Sequence, residues 1–314
     1  MTYPYDPELA PWAPHLKPSD YTDVAAVRAE LTSLIAQLPV YAPAEPVEVT
    51  DRKVAGPQGA PEVPVRVYRP HGATEPVPGL LYTHWGGLIS GDLDTNHSAV
   101  LRIAEQARVM VFSVDYRLAP EHPFPNGLND CFAVLEWVVE HGAELGVDTD
   151  RLGVAGDSAG GALAAGLALL ARDRGVPLRM QCLSFPALDD RLETPSALAF
   201  VDTPVLDRGS ALLSWHHYLG GKDASERSDV SPYATPGRAE DLTGLPATFL
   251  SSCEFDPFRD EDLGYARRLI EAGVPTELHH YPGTFHACTG ITEAAVSERM
   301  VRDQIDAIRR ILHG

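Results

Sequence analysis

The sequence of 314 residues has no apolar stretch near the length of about 18 residues that crosses a bilayer, and no segment typical of a signal peptide. It is also poor in positive charge, because 25 lysines and arginines stand against 44 acidic residues, for a net charge of -19 at pH 7. Such an acidic balance disfavours nucleic acid and anionic membranes as partners. We therefore expect a cytoplasmic protein that binds neither nucleic acid nor membrane.

Cysteine is scarce as well. The four cysteines, at positions 131, 182, 253 and 288, show no spacing typical of metal ligands. We interpret them as reduced thiols in a reducing compartment, and we expect neither a metal nor an organic cofactor. Apolar residues are plentiful at 44%, with 22% charged residues, which is enough to build one large domain or one domain with an insertion.

One stretch near the middle of the chain combines a strand, a sharp turn and a helix. A short apolar strand precedes the pattern Gly-x-Ser-x-Gly at 156–160, and a run of small apolar residues, 162–171, follows it. In that context the pattern predicts a nucleophile elbow, which holds Ser158 in a strained turn above the sheet edge. The helix N-terminus would offer free amides, beginning with Ala159, to a developing oxyanion.

Eight segments are predicted as strands, and most of them alternate with helices. The predicted strands are 47–54, 63–68, 80–83, 109–114, 152–155, 180–185, 247–251 and 277–281. The first two form a hairpin, and the later alternation predicts an α/β fold with a mostly parallel sheet covered on both faces. In such folds the chemistry lies at the carboxyl ends of the strands.

Two regions lie outside this alternation. Residues 1–46 are rich in proline and aromatics and contain one amphipathic helix near 21–37, with Ser19 or Asp20 as its N-cap. About 60 residues separate the sixth and seventh strands, and an insertion of that length is usually functional. We therefore predict a helical cap, formed by 1–46 and 190–226, over an α/β catalytic domain formed by 47–189 and 227–314.

The loop after the third strand reads His84-Trp85-Gly86-Gly87. Two adjacent glycines at a strand end allow backbone amides to point into a site. The amides of Gly86 and Gly87 are therefore predicted to form an oxyanion hole together with that of Ala159.

Titratable side chains follow the last two strands. Asp256, held by the proline after it, is the first carboxylate clearly in the loop after the seventh strand, although Glu254 is an alternative. His286 lies beyond the eighth strand, whereas His279 falls within it and is interpreted as structural. Ser158, Asp256 and His286 thus occur in the order nucleophile, acid, base, which is the order of an α/β-hydrolase triad.

The chain resembles the microbial hormone-sensitive lipase-like esterases, a branch of the α/β-hydrolase superfamily. Residues 156–161, Gly-Asp-Ser-Ala-Gly-Gly, match the family's nucleophile motif, and residues 116–125, Tyr-Arg-Leu-Ala-Pro-Glu-His-Pro-Phe-Pro, match another signature. Residues 245–275, which include Asp256-Pro257, resemble the stretch that carries the family's catalytic acid. The resemblance covers nearly the whole chain and implies the α/β-hydrolase fold, with an eight-stranded sheet and a helical cap.

Two positions depart from the family pattern. Trp85 stands where the family usually has the first glycine of His-Gly-Gly-Gly, so this position cannot rely on a glycine-only backbone conformation. We expect its indole to narrow the acyl or alcohol pocket. Ala287 stands where the family often has glycine, and we expect a wider pocket there.

The predicted activity is that of a serine carboxylesterase, which hydrolyses short- to medium-chain acyl esters of small molecules through an acyl-enzyme intermediate. Trp85, Trp215 and Tyr218 are candidates to line the substrate pocket, with core packing of the cap as the alternative for Trp215. A lipase, an acyltransferase or an amidase would use the same triad. A non-catalytic ligand receptor on this fold is a further alternative, which the presence of His286 disfavours. The exposed edge of the last strand could also pair two copies into a homodimer.

Overall fold

The computed structural model describes residues 3–72, 76–222 and 228–314. Within these ranges the chain forms eight strands and eight α-helices. The strands are β1 (Val47–Val54), β2 (Val63–Pro70), β3 (Val77–Thr83), β4 (Met110–Val114), β5 (Val147–Asp157), β6 (Met180–Ser184), β7 (Ala247–Phe255) and β8 (Thr276–Phe285). The helices are α1 (Val24–Gln37), α2 (His97–Ala107), α3 (Asn126–Leu145), α4 (Ala159–Arg174), α5 (Pro195–Ala199), α6 (Arg208–Tyr218), α7 (Arg259–Glu271) and α8 (Ala295–His313).

All eight strands belong to one sheet, in the order β1-β2-β4-β3-β5-β6-β7-β8. The β1–β2 and β2–β4 pairs are antiparallel, and every other pair is parallel. The parallel strands β3 to β8 therefore bring their carboxyl ends to the same edge of the sheet, which is where α/β folds place their chemistry.

Helices cover both faces of the sheet. One apolar cluster joins the sheet to α2 and α8, and a larger one joins the opposite face to α3, α4 and α7. Leu80 and Leu81 are neighbours in β3 but belong to different clusters, because successive side chains of a strand point to opposite faces. Helix α4 is buried from Ala159 to Ala171, as its small apolar residues allow.

The eight strands predicted from the sequence are all present, and the predicted fold class is confirmed. The predicted and observed strands differ most at the carboxyl ends of β7 and β8, which continue to Phe255 and Phe285. Pro282 does not end β8, because an edge strand can do without one backbone donor. A register irregularity between Cys253 and Phe255 lets the two strands pair again beyond it.

The elements predicted for the cap are α1, α5 and α6. Helix α1 begins later than predicted because Asp23, rather than Ser19 or Asp20, is its N-cap and accepts from the amide of Ala26 at 3.0 Å. Val27 of α1 is buried, Val24, Leu31 and Ile35 are half-buried, and Leu34 is exposed. The division into cap and catalytic domain remains a prediction, and its limits at residues 1 and 226–227 lie outside the described residues. Among the helices that the structure describes, none is both long and apolar enough to cross a membrane.

Candidate active site

Ser158 occupies the turn between β5 and α4. Its backbone has φ 53° and ψ -121°, a conformation that is costly for a residue with a side chain. The amide of Ser158 donates to the carbonyl oxygen of Ser184 in β6 at 2.9 Å, which ties the turn to the sheet. A Cβ atom on Gly156 would collide with the backbone of Gly160, so the close approach of strand and helix requires glycine there.

Three side chains that are distant in sequence form a continuous hydrogen-bonded chain. Nε2 of His286 lies 2.8 Å from Oγ of Ser158, and Nδ1 of His286 lies 2.7 Å from Oδ2 of Asp256. The second carboxylate oxygen of Asp256 accepts from the amide of Phe258 at 2.9 Å. Asp256 is fully buried, while Ser158 retains 9% exposure. The hydroxyl is therefore the accessible end of the chain.

The pairing of β7 with β8 explains how the acid and the imidazole meet. Asp256 is the first residue after β7, and His286 is the first residue after β8. Phe255 and Phe285, the last residues of these neighbouring parallel strands, pair directly with each other. The residues that follow them leave the sheet edge side by side.

Two phenylalanine rings flank the His286 imidazole. Phe185 lies at a centroid distance of 5.1 Å and Phe258 at 5.4 Å, both edge-on. These contacts restrict rotation of the imidazole and exclude water from its sides. Neither ring could be identified from the sequence, since no motif near Phe185 or Phe258 marks a function.

The other candidate acid and the strand histidine have different partners. The carboxylate of Glu254 accepts from the amide of Gly283 at 2.6 Å, whereas the contact to His286 is made by Asp256. His279 lies within β8 and is bonded to Glu277 at 2.9 Å and to Asp303 at 3.3 Å, in agreement with its structural interpretation.

Gly86 and Gly87 have φ values of 132° and 64°, which residues with a side chain rarely adopt. A Cβ atom on Gly86 would also collide with the carbonyl oxygen of Ser90. Within the described residues, no hydrogen bond uses the backbone amide of Gly86, Gly87 or Ala159. These amides are thus available to a bound oxygen atom.

Trp85 is half-buried beside these glycines. Its φ is not positive, as expected for a residue that replaces glycine without its conformational freedom. Trp215 and Tyr218 belong to the larger apolar cluster, are 1% and 4% exposed, and lie 5.9 Å apart between ring centroids. Trp215 is therefore packed in the apolar core, as the alternative interpretation expects. Contact of Trp85, Trp215 or Tyr218 with a substrate remains a prediction.

The 116–125 signature supports the loop that carries Gly86 and Gly87. The Tyr116 ring stacks on His84 at 4.2 Å, and its hydroxyl donates to the carbonyl oxygen of His84 at 2.8 Å. The amide of Ala119 donates to the carbonyl oxygen of Leu88 at 3.0 Å. Burial lowers the pKa of His84 to about 4, so its ring is neutral at pH 7.

A buried polar network holds the elbow from the side of α8. The carboxylate of Asp157 accepts from the hydroxyl of Tyr82 at 2.6 Å and from the amide groups of Asn96 and Gln304 at 3.3 and 3.4 Å. Burial raises the pKa of Asp157 against the effect of these donors. Its position in the Gly-Asp-Ser-Ala-Gly motif was the only signal in the sequence. In the part of the chain that the structure describes, no three His, Cys, Asp or Glu side chains are placed to hold a metal ion.

Comparison with known proteins gives a consistent result. Residues 80–290 match the family model described as an alpha/beta hydrolase fold. The chain is 41% identical over 269 residues to carboxylesterase NlhH of Mycobacterium tuberculosis, covering 84% of this chain and 83% of that protein. Its structure is similar to a bacterial heroin esterase, with a TM-score of 0.96, 46% identity and 99% of both chains covered. Esterase LipW of Mycobacterium marinum has a TM-score of 0.88 and 40% identity, with 99% of this chain and 97% of that chain covered.

The family match spans most of the chain, and the two solved structures align with it over nearly their whole length. The elbow at Ser158 lies within the matched range. The chain belongs to the α/β-hydrolase superfamily and, within it, to the microbial hormone-sensitive lipase-like esterases, which are carboxylic ester hydrolases.

Proposed function

We propose that this carboxylic ester hydrolase cleaves short- to medium-chain acyl esters through an acyl-enzyme intermediate, with Ser158 as nucleophile, His286 as general base and Asp256 as the acid. The observation that carries the proposal is the unbroken chain of contacts from hydroxyl to imidazole to carboxylate, at 2.8 and 2.7 Å. Activation of a serine requires a base within this reach and a third group that orients the base.

The reaction proceeds in two halves. Oγ of Ser158 attacks the carbonyl carbon of the ester while its proton moves to Nε2 of His286. Asp256 accepts the hydrogen bond from Nδ1 and stabilises the imidazolium. The alcohol leaves with the proton from Nε2, and the acyl group remains on Ser158. A water molecule then gives a proton to Nε2 of His286 and attacks the acyl carbon. The bond to Oγ of Ser158 breaks, Oγ takes the proton from Nε2, and the carboxylic acid product leaves.

The charge that develops on the carbonyl oxygen needs hydrogen-bond donors in place before the reaction. The unpaired amides of Gly86, Gly87 and Ala159 supply them in this proposal. Loss of one such donor typically lowers kcat by about 10²–10³.

Replacement of the nucleophile tests the assignment. We expect Ser158→Ala to lower kcat on p-nitrophenyl butyrate by several orders of magnitude while the protein stays folded. Ser252→Ala is a matched control, because that buried hydroxyl lies within β7 and has no hydrogen-bond partner among the described residues. A fluorophosphonate should label wild-type protein, but not Ser158→Ala, at a single serine. Full activity of Ser158→Ala would reject the proposal.

A substrate series separates the alternatives that share the triad. Hydrolysis should be fastest on p-nitrophenyl acetate to hexanoate and slow on the palmitate. A preference for emulsified long-chain triglycerides would indicate a lipase. Preferential ester formation in added alcohol would indicate an acyltransferase, and faster cleavage of the matching anilide would indicate an amidase. Ligand binding without turnover would indicate a receptor.

We also propose that residues 1–46 and 190–226 form one cap over the catalytic domain. Contacts between the two segments support it: the amide of Val205 donates to the carbonyl oxygen of Leu16 at 2.9 Å, and Nε2 of His217 lies 2.9 Å from the carbonyl oxygen of Tyr21. In hydrogen exchange, amides of both segments should open together and before those of β3 to β7. Independent exchange of the two segments would argue against a single cap.

We further propose that two copies associate through β8 in the cytoplasm. Among the described strands β8 pairs with β7 alone, so no strand covers the outer edge of its first residues, where Leu278 is 36% exposed. Light scattering should give the mass of a dimer for the wild type and of a monomer for Leu278→Arg.

The proposed cytoplasmic location is supported by the four cysteines, which are free and buried, as is consistent with a reducing compartment. Cell fractionation tests the location.

A further inference from the structure

Tyr21 lies beside one of the proposed oxyanion donors. A Cβ atom on Gly87 would lie 2.7 Å from Cε2 and 3.0 Å from the hydroxyl oxygen of Tyr21. Since N and Cβ of one residue are about 2.5 Å apart, the phenolic oxygen lies within about 5.5 Å of the Gly87 amide nitrogen. The hydroxyl is therefore close to the place where the carbonyl of a bound ester would sit.

This hydroxyl has no hydrogen-bond partner among the described residues. The hydroxyl is not one of the buried polar atoms that lack a partner, so it is accessible to solvent. Tyr21 as a whole is half-buried. Burial, with a contribution from Asp207, raises the pKa of Tyr21 to about 12. The phenol is thus surrounded by protein, protonated at pH 7 and open at its oxygen, as expected of a donor inside a cleft.

Neighbouring contacts fix the backbone at Tyr21, and its side chain packs against the larger apolar cluster. The carbonyl oxygen of Tyr21 is bonded to His217 of α6, and the carboxylate of Asp20 accepts from the amide and hydroxyl of Thr22 at 3.0 and 2.6 Å. Oγ of Ser214, also in α6, donates to the carbonyl oxygen of Gly87 at 2.5 Å. Tyr21 and the oxyanion loop are therefore both fixed to α6, and a substrate would meet a donor already in position.

We propose that Tyr21 is a specificity-determining residue, whose hydroxyl donates a hydrogen bond to an oxygen of the acyl group next to the reacting carbonyl. The proposal rests on the proposed function, because it assumes that Gly87 binds the oxyanion. The preferred substrates are then esters with an ether or carbonyl oxygen near the scissile bond, such as alkoxyacetyl esters. A hydrocarbon acyl chain of the same shape leaves the donor without a partner and is favoured less.

A matched pair of substrates tests this selectivity. p-Nitrophenyl methoxyacetate and p-nitrophenyl butyrate differ by one oxygen in place of one methylene, at nearly constant shape. We expect Tyr21→Phe to lower the ratio of their kcat/KM values about fivefold, since a neutral hydrogen bond is worth about 1 kcal/mol. The difference in intrinsic reactivity of the two esters cancels when the variant is compared with the wild type.

Tyr3→Phe is the matched control, because it removes a hydroxyl of the same N-terminal segment that already donates to Asp202 at 2.5 Å. It should leave the ratio unchanged. Tyr21→Met, which fills similar space without a donor, should shift the ratio in the same direction as Tyr21→Phe. A ratio that is unchanged in both Tyr21 variants, whether or not kcat/KM falls equally on both esters, would overturn the proposal. Failure of the proposed function would differ, because Ser158→Ala would then retain activity.

Discussion

Nε of Arg28 in α1 donates to the carbonyl oxygen of Ile89 at 2.7 Å, so a helix of the proposed cap is bonded directly to the loop that carries Gly86 and Gly87. The same guanidinium donates to the carbonyl oxygen of Ala119 at 3.0 Å and forms a two-pronged ion pair with Glu121. One arginine thus joins the proposed cap, the loop of Gly86 and Gly87, and the 116–125 signature. Its two carbonyl contacts matter more than the partly exposed ion pair, which solvent weakens.

Arg28→Met should therefore lower activity more than stability. We expect kcat/KM on p-nitrophenyl butyrate to fall about tenfold, because the loop of Gly86 and Gly87 loses a charged hydrogen bond at Ile89 and the signature segment loses one at Ala119. Arg102→Met is the control, since Arg102 is also ion-paired, to Glu298, but lies on the other face of the sheet. Equal effects of the two variants on kcat/KM would show that the Arg28 contacts have no special role.

The identity of the catalytic acid is tested by two amides. Asp256→Asn should lower kcat by about 10⁴, because an amide cannot hold the imidazole in the tautomer that accepts the serine proton. Glu254→Gln, two residues earlier, should retain most activity, since its carboxylate is bonded to the amide of Gly283. Steady-state kinetics of both variants at pH 7 provide the comparison. A larger loss in Glu254→Gln would reassign the acid.

His84 should make folding stability depend on pH. Its pKa is about 4 in the folded protein because of burial, against 6.5 ordinarily. The unfolded chain therefore takes up a proton first as pH falls, so the stabilisation is complete above pH 6.5 and is lost towards pH 4. At about 1.4 kcal/mol per pKa unit, the loss approaches about 3 kcal/mol.

His84→Asn isolates this contribution, because its amide can still donate to the carbonyl oxygen of Trp85 as Nδ1 of His84 does at 2.8 Å. Urea unfolding between pH 7 and pH 4.5 should show a flatter profile for the variant, whatever its stability at pH 7. Parallel profiles for variant and wild type would mean that His84 does not stay neutral in the fold.

Ala287, which follows His286, adopts the left-handed conformation with φ 56°. This conformation costs a residue with a side chain about 1–2 kcal/mol, and the greater freedom of glycine in the unfolded state offsets about half of that. Ala287→Gly should therefore raise Tm by about 2 °C without changing kcat on short-chain esters. A lower Tm would show that the Ala287 methyl group contributes packing that outweighs the strain. Calorimetry with parallel kinetics provides both measurements.

Local patterns were sufficient to predict much of this protein. The alternation of apolar strands and helices predicted the sheet, because a strand covered on both faces must be apolar along its length. Glycine at 156 and 160 predicted the elbow at Ser158, because only glycine permits that approach of two backbones. These properties depend on residues within a few positions of one another.

The choice among candidate residues required the tertiary structure. Asp256, rather than Glu254, reaches His286 because β7 and β8 extend further than predicted and pair at Phe255 and Phe285. Glu254 and Asp256 are two positions apart, so strand alternation alone would point both side chains to the same side. The choice between them depends on the end of β7 at Phe255 and on the irregularity in its pairing with β8 between Cys253 and Phe255.

Tyr21 shows the same limit at longer range. No pattern around it marks a function, and its position over Gly87 depends on contacts with α6, which lies far along the chain. The sequence by itself determined the sheet, the elbow and the three residue types of the proposed triad, because these follow from local periodicity and backbone freedom. Only the tertiary structure decided which side chains surround them, because such contacts depend on how distant segments pack.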